Sequence, residues 1–367
     1  MFAESRRIEW HMPAYQIKTI HMKILIVSDY DSVKNPFLNS LVDGLINCGN
    51  DVVCGLELFW NAFNNFDLIY FQWPELIFQW NTMLIDIEKL SKHLDRIQEM
   101  HIKMLITCHN LHPHNNDSKT KELYNLVYSK VDAFHHLGNN SFQLLKKKYP
   151  SKYHFIAPHH IADSLLDNKI DSSEAKARLN IPNDNIVISS FGVFRDNKEF
   201  LLFVYMVISV YKKDLTFLAP RICLIESHCF NRLLYLCRCF ICKLFGIRYS
   251  GFLAEDELKL WLSASDIVFI QRYDILNSGN IPLAFSAGKV VVGPSCGNVG
   301  EIIEETGNYL FDPHNWVSIK KAMLNALGPC KKSTQLGEHN YQYAIEHWST
   351  TKVCELIDSN IRYIKQT

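Results

Sequence analysis

The sequence has no excess charge of either sign: Lys+Arg and Asp+Glu both total 38. The chain-wide basic field that marks nucleic-acid binding is therefore absent. An anionic ligand has to be met by a local group of cations or by backbone N–H groups. No apolar run reaches the roughly 18–20 residues of a membrane-crossing helix. The longest, Phe200–Tyr211, reads as a buried helix. Glycine (15) and proline (12) are few, which excludes a low-complexity or fibrous chain. Among 11 cysteines no CxxC pair recurs at zinc-ribbon spacing. Cys239 and Cys242 form a lone CxxC flanked by Cys229 and Cys237, and reduced, mostly buried thiols of a cytoplasmic protein are expected. Residues 1–21 lack the apolar core of a signal peptide. They are expected to be an extension, disordered or not native, with the fold starting at Met22.

What is present is a repeated alternation of short apolar runs and amphipathic stretches, in a chain of 367 residues with room for two α/β domains. Lys23–Ser28 predicts a strand buried on both faces. Pro36 then opens a helix with Phe37, Leu41, Leu45 and Ile46 on one face, closed by Gly49. Further strands are predicted at Asp51–Gly55, Asp67–Phe71, Ile102–Cys108, Asp132–Leu137 and Tyr153–Ala157. The polar stretch 160–184 interrupts the pattern, which restarts with strands at Asn185–Gly192, Leu215–Ala219, Asp266–Ile270, Lys289–Gly293 and Tyr309–Phe311. The expected organisation is an α/β chain of two Rossmann-like domains, 22–165 and 166–340, with 341–367 as a C-terminal helix.

Parallel sheets build their sites at the carboxyl ends of strands. The loop after the first strand, Asp29–Asn35, has no G-x-G-x-x-G, which argues against a dinucleotide redox cofactor. His109 stands just past the strand Ile102–Cys108, where an imidazole can hydrogen-bond a hydroxyl or move a proton near neutral pH. With His112 and His114 it also invites a metal reading. That reading is set aside, because Cys108 should point away from His109 and no carboxylate has matching spacing. Gly192 ends the strand Asn185–Gly192, lets the chain turn sharply and allows a ligand to approach the backbone. Arg195 and Lys198 lie beside a helix start, and two cations at a positive dipole end suit a diphosphate. Ser278 and Gly279 precede a short helix and offer N–H groups to an anion.

In this order and spacing the motifs resemble the retaining glycosyltransferases of the GT-B fold, similar to glycosyltransferase family 4. Phe71-Gln-Trp-Pro-Glu75 looks like the family's HWPE segment, and Thr107–His114 like its T-x-HN-x-x-PH segment. Gly192, Arg195 and Lys198 look like its G-x-x-R-x-x-K, and Ser278–Pro294 with Glu301 like the donor-binding helix and turn. The resemblance implies two domains facing a central cleft, with the C-terminal helix crossing back to the first. It implies hexosyl transfer from a nucleoside-diphosphate sugar to a glycan or lipid-linked acceptor, without cofactor or metal, in polysaccharide or glycolipid synthesis. It places Trp73, Glu75 and His112 on the acceptor side, and Asn277, Asn280, Ser286 and Glu301 at the donor sugar and nucleoside. His109 and Asp274 would be the catalytic residues. One departure is plain: the family's Glu-x7-Glu falls at Ile275 and Leu283, neither of them acidic. That keeps open a non-catalytic protein of this fold and a nucleotide-sugar epimerase. Residues 231–249 are basic, aromatic and apolar, and read either as a peripheral contact with the inner face of the cell membrane or as a buried helix with snorkelling cations.

Overall fold

The computed structural model describes residues 21–28, 35–113, 117–161, 170–224, 232–328 and 330–367. The predicted extension up to residue 20, loop residues 29–34, His114 and the expected boundary at 165/166 lie outside them. The chain divides into two compact units, 1–162 with 347–367, and 163–346.

The N-terminal unit is a six-stranded parallel sheet, ordered β2-β1-β3-β4-β5-β6. Its strands are β1 (Lys23–Val27), β2 (Asp51–Cys54), β3 (Leu68–Phe71), β4 (Lys103–Cys108), β5 (Ala133–His136) and β6 (Tyr153–Ile156). β3 is buried at every residue, the mark of a strand covered on both faces. The helix Pro36–Asn47 starts on an Asn35 side-chain cap and a proline in its first turn, as its sequence dictates. Its buried face carries Phe37, Leu38, Leu41 and Leu45, whereas Ile46 is exposed. Ile46 lies beyond the edge of the stripe, and Leu38 takes the place expected for it.

The last helix, Thr350–Gln366, lies on this unit. Val353, Cys354, Ile357, Ile361 and Ile364 share one core with Leu41 and Leu45. Asn50 Nδ2 donates to Asp358 at 2.7 Å, and Tyr153 donates its hydroxyl to Asn360 at 2.8 Å. The two helices meet at Gly44, where an added Cβ would run into Cys354 Sγ and lie 3.0 Å from Thr350 Cγ2. Gly44→Ala is expected to lower stability by about 1–3 kcal/mol through overpacking, partly offset by the better helix propensity of alanine. Urea unfolding reads this directly, and an unshifted midpoint would mean the helices can part.

The C-terminal unit holds β7 (Ile186–Ser189), β8 (Leu215–Leu218), β9 (Ile247–Arg248), β10 (Ile267–Phe269), β11 (Val290–Pro294) and β12 (Tyr309–Phe311). They form a second parallel sheet, ordered β12-β11-β10-β7-β8-β9. The helix Asn197–Val210 buries Phe200, Leu202, Phe203, Val204, Met206, Val207 and Val210, as its unbroken apolar run requires. Only two residues long, β9 has no pattern to reveal it in the sequence. Among the described residues no helix is long and apolar enough to cross a membrane.

Candidate functional site

In each sheet the order in which strands are added reverses once, and at such a point the loops from two adjacent strands part and open a crevice. In the C-terminal unit the reversal lies between β7 and β10. Ser190-Phe191-Gly192 leaves β7, and Gln271-Arg272 follows β10. Gln271 is fully buried; it accepts a hydrogen bond from the Ser190 hydroxyl and donates Nε2–H to the Gly192 carbonyl at 3.0 Å. Arg272 donates Nη1–H to the Val193 carbonyl at 2.7 Å and pairs with the Glu199 carboxylate. The same carboxylate accepts from the Arg195 backbone N–H at 2.8 Å. Burial pushes the Glu199 carboxyl up from its ordinary range, while Arg272 and the Arg195 amide pull it back.

Gly192 is where these groups meet. A Cβ there would stand 3.0 Å from Arg272 Nη2, 3.0 Å from Gln271 Nε2 and 3.1 Å from Asn280 Nδ2. Crowding, not a left-handed backbone, favours glycine here: a Cβ is admitted only if these side-chain ends give way. One guanidinium and two amide nitrogens thus converge on a loop backbone at the switch point, where Gln271 and Arg272 tie that loop to the end of β10.

Arg195 and Lys198 are both exposed, on either side of the start of the helix Asn197–Val210. The helix end itself is already occupied: Asp196 caps it, accepting from Glu199 N–H at 2.9 Å. The cap takes one of the first-turn amides and sets a carboxylate between the two cations.

Ser278 Oγ accepts from the Asn280 N–H at 3.3 Å, and Gly279 is the first residue before the helix Asn280–Ser286. Asn277 Oδ1 accepts from Asn298 at 2.7 Å, which ties this loop to the helix Gly297–Glu305 carrying half-buried Glu301. That helix begins at Gly297, whose φ of +57° and close approach to the Ile275 carbonyl both exclude a side chain. Asp274 is exposed beside this turn. Ser286 is fully buried and donates its hydroxyl to Leu283 O at 2.8 Å within its own helix.

In the N-terminal unit the reversal lies between β1 and β3. The His109 ring stacks on Trp73 with centroids 4.0 Å apart and planes at 16°, and meets Phe37 edge-on at 5.1 Å. His109 Nε2–H donates to Gln72 Oε1 at 3.1 Å. Burial, with His159, His135 and His160 nearby, holds its pKa well below the usual histidine range. It is a neutral imidazole at pH 7, able to donate and accept hydrogen bonds but not to act as a cation. Cys108 turns the other way, onto Tyr128. Glu75 is buried in the 3-10 turn Pro74–Phe78 and accepts from the Tyr124 hydroxyl at 3.0 Å. Burial raises its carboxyl above the ordinary range. His112 is exposed.

No family model matches the sequence, and no curated protein does. Solved structures do match. Anabaena HepE in complex with UDP-glucose superposes with a TM-score of 0.72 at 12% identity, covering 94% of this chain and 100% of that one. Sucrose-phosphate synthase from Thermosynechococcus elongatus gives 0.71 at 12% identity, covering 94% and 99%. A glycosyltransferase from Rickettsia africae gives 0.66 at 12% identity, covering 94% and 98%. The chain has the GT-B fold.

Within that fold, the structure brings Gly192 and Asn280 together, with Arg195 and Lys198 in the loop and first helical turn that follow Gly192. It also recruits Gln271, Arg272 and Glu199, which the sequence reading passed over. Gln271 and Arg272 lie directly after a predicted strand, the same signal that singled out His109. Gln72 and Phe37, which frame His109, were missed as well.

Proposed function

We propose that this protein is a glycosyltransferase that moves a hexosyl group from a nucleoside-diphosphate sugar, UDP-glucose in its simplest form, to an acceptor hydroxyl. The observation that carries this reading is the convergence of Arg272, Gln271 and Asn280 on Gly192 at the switch point of a GT-B fold. HepE, of the same fold, is described with UDP and with UDP-glucose bound. Arg195, Lys198 and the Ser278–Gly279 turn hold the diphosphate and stabilise charge growing on it as the glycosidic bond breaks. Such stabilisation is usually the largest catalytic contribution. Cations in these positions let transfer proceed without a metal. Asn277, Asn280 and Glu301 address the nucleoside and sugar, and Asp274 the transferred sugar. His109 and Trp73, with Glu75 and His112, belong to the acceptor side, the acceptor being a glycan or a lipid-linked saccharide. Retention at the anomeric carbon, a role in polysaccharide or glycolipid assembly, and work in the cytoplasm at the inner membrane face complete the reading.

Calorimetry with UDP, GDP, ADP and dTDP, with and without magnesium, tests it. UDP is expected to bind selectively, with or without the metal. Arg195→Ala should weaken it about 10–100-fold, the loss of one or two charge-assisted hydrogen bonds. Binding of none of the four would favour a second reading, a non-catalytic protein of this fold. Ile275 and Leu283, standing where the Glu-x7-Glu carboxylates fall, are the observation behind it.

A further inference from the structure

The helix Arg232–Leu244 is turned inside out. Leu233, Leu236, Phe240 and Leu244 recur every three or four residues and are 70%, 52%, 68% and 63% exposed. On the opposite face Arg238 is buried. Its guanidinium donates to the carbonyls of Ile222 at 3.2 Å and Leu224 at 3.3 Å and to Asn197 Oδ1 at 3.0 Å, and lies 4.9 Å over the Phe200 ring. Cys242, also buried, faces Cys223 with sulfurs 3.9 Å apart. Rolling the helix to hide its leucines would strip Arg238 of these acceptors, so the orientation is locked. The expectation of a buried helix with snorkelling cations is thereby corrected: its arginine is inside and its leucines are outside.

The surroundings say what this face meets. Arg232 and Lys243 are exposed along one flank of the apolar stripe. Tyr211, 54% exposed, packs edge-on against Phe245 at 6.2 Å, and exposed Lys212, Lys213 and Asp214 follow it in the chain. No acidic residue occurs from 232 to 253, in a chain whose charges otherwise balance. A symmetric contact with a second copy would set these cations against themselves.

We propose that this face seats on an anionic lipid bilayer, with the helix lying in the interfacial plane. Leu233, Leu236, Phe240 and Leu244 enter the boundary between headgroups and acyl chains, and Arg232, Lys212, Lys213 and Lys243 meet lipid phosphates. The contact requires no nucleotide and stands apart from the donor-site reading.

Flotation of the full chain with vesicles of phosphatidylcholine, with and without phosphatidylglycerol, tests it. The protein is expected to float with the phosphatidylglycerol vesicles only, and less so at high salt. Two variants should each lower the floating fraction about tenfold or more: Leu236→Ser with Phe240→Ser, and Arg232→Glu with Lys243→Glu. Circular dichroism and UDP calorimetry on the same variants confirm that the fold and the donor site are intact. Wild-type protein that stays at the bottom of the gradient overturns the proposal, as does flotation that both variants leave unchanged. A dimer in sedimentation velocity that Phe240→Ser dissolves, with no flotation, would give the face to a second copy and overturn it equally.

Discussion

Acidification from pH 7 to pH 5 is expected to destabilise the N-terminal unit by on the order of 5 kcal/mol, a large part of the total stability of a domain. Burial depresses the pKa of His93, His109, His135, His136, His154, His159 and His160, all in this unit. His135 and His159 are lowered to about 4 and His160 to about 3. The unfolded chain takes up these protons near pH 6.5. Between there and pH 3–4 the unfolded state binds more protons, so stability rises with pH across that window. The contribution is complete above about pH 6.5 and is lost as the pH falls. Each of the three with a value loses about 2 kcal/mol by pH 5.

Burial is the main cause, and the hydrogen bonds show which ring nitrogen would have to take the second proton. His135 donates Nε2–H to the Ala157 carbonyl at 2.8 Å, so its Nδ1 accepts from the Tyr70 hydroxyl at 2.7 Å. Thr107 in turn donates to Tyr70 at 2.9 Å. His154 donates to the Tyr149 carbonyl, which leaves its Nδ1 to accept from His136 Nε2 at 2.9 Å. Protonating His154 Nδ1 sets it against the His136 Nε2–H, and protonating His135 Nδ1 forces the Tyr70 hydroxyl to turn its own proton elsewhere. Urea unfolding at pH 7 and pH 5, with protease cleavage sites mapped by mass spectrometry, would show this unit opening first. An unchanged midpoint would mean that these rings are charged, or hydrated, in the folded state.

Arg272→Ala is expected to cost about 3–5 kcal/mol and to abolish nucleotide binding, because it leaves the buried Glu199 carboxylate without its partner. Arg272→Lys should rescue little, since one ammonium cannot reproduce a guanidinium that spans Glu199 and the Val193 carbonyl. Removing both charges, as Arg272→Met with Glu199→Leu, should restore most of the stability, because no buried charge is stranded. It should not restore UDP affinity. A double-mutant cycle in thermal midpoint, run beside calorimetry, separates the two roles. Wild-type affinity in the double variant would place Arg272 outside the nucleotide site.

Much of the fold was legible because hydrophobic period is a local property. Runs such as Lys23–Val27 and Leu68–Phe71 declare strands buried on both faces, and their alternation with helical stretches implies parallel sheets. Strand ends follow from the strands, so His109, Gly192, Arg195 and Ser278 could be picked out as loop residues at the carboxyl edge of each sheet. The capping of the helix Asn197–Val210 by Asp196 was in the sequence too, and it was overlooked.

By itself, then, the sequence determined the two α/β halves, the carboxyl edge of each sheet, and the residue types standing there. Only the tertiary structure decided which of them meet. Arg272 and Glu199 lie 73 residues apart and are joined because β10 pairs with β7 at the reversal of the second sheet. Strand order is set by packing across the whole unit, and no local pattern encodes it. The helix Arg232–Leu244 makes the same point: its period announced an amphipathic helix, but which face turns inward was settled by where Arg238 found its carbonyls. Periodicity fixes an element's shape; the competition among its faces for burial and hydrogen bonds, settled between residues far apart in the chain, fixes its use.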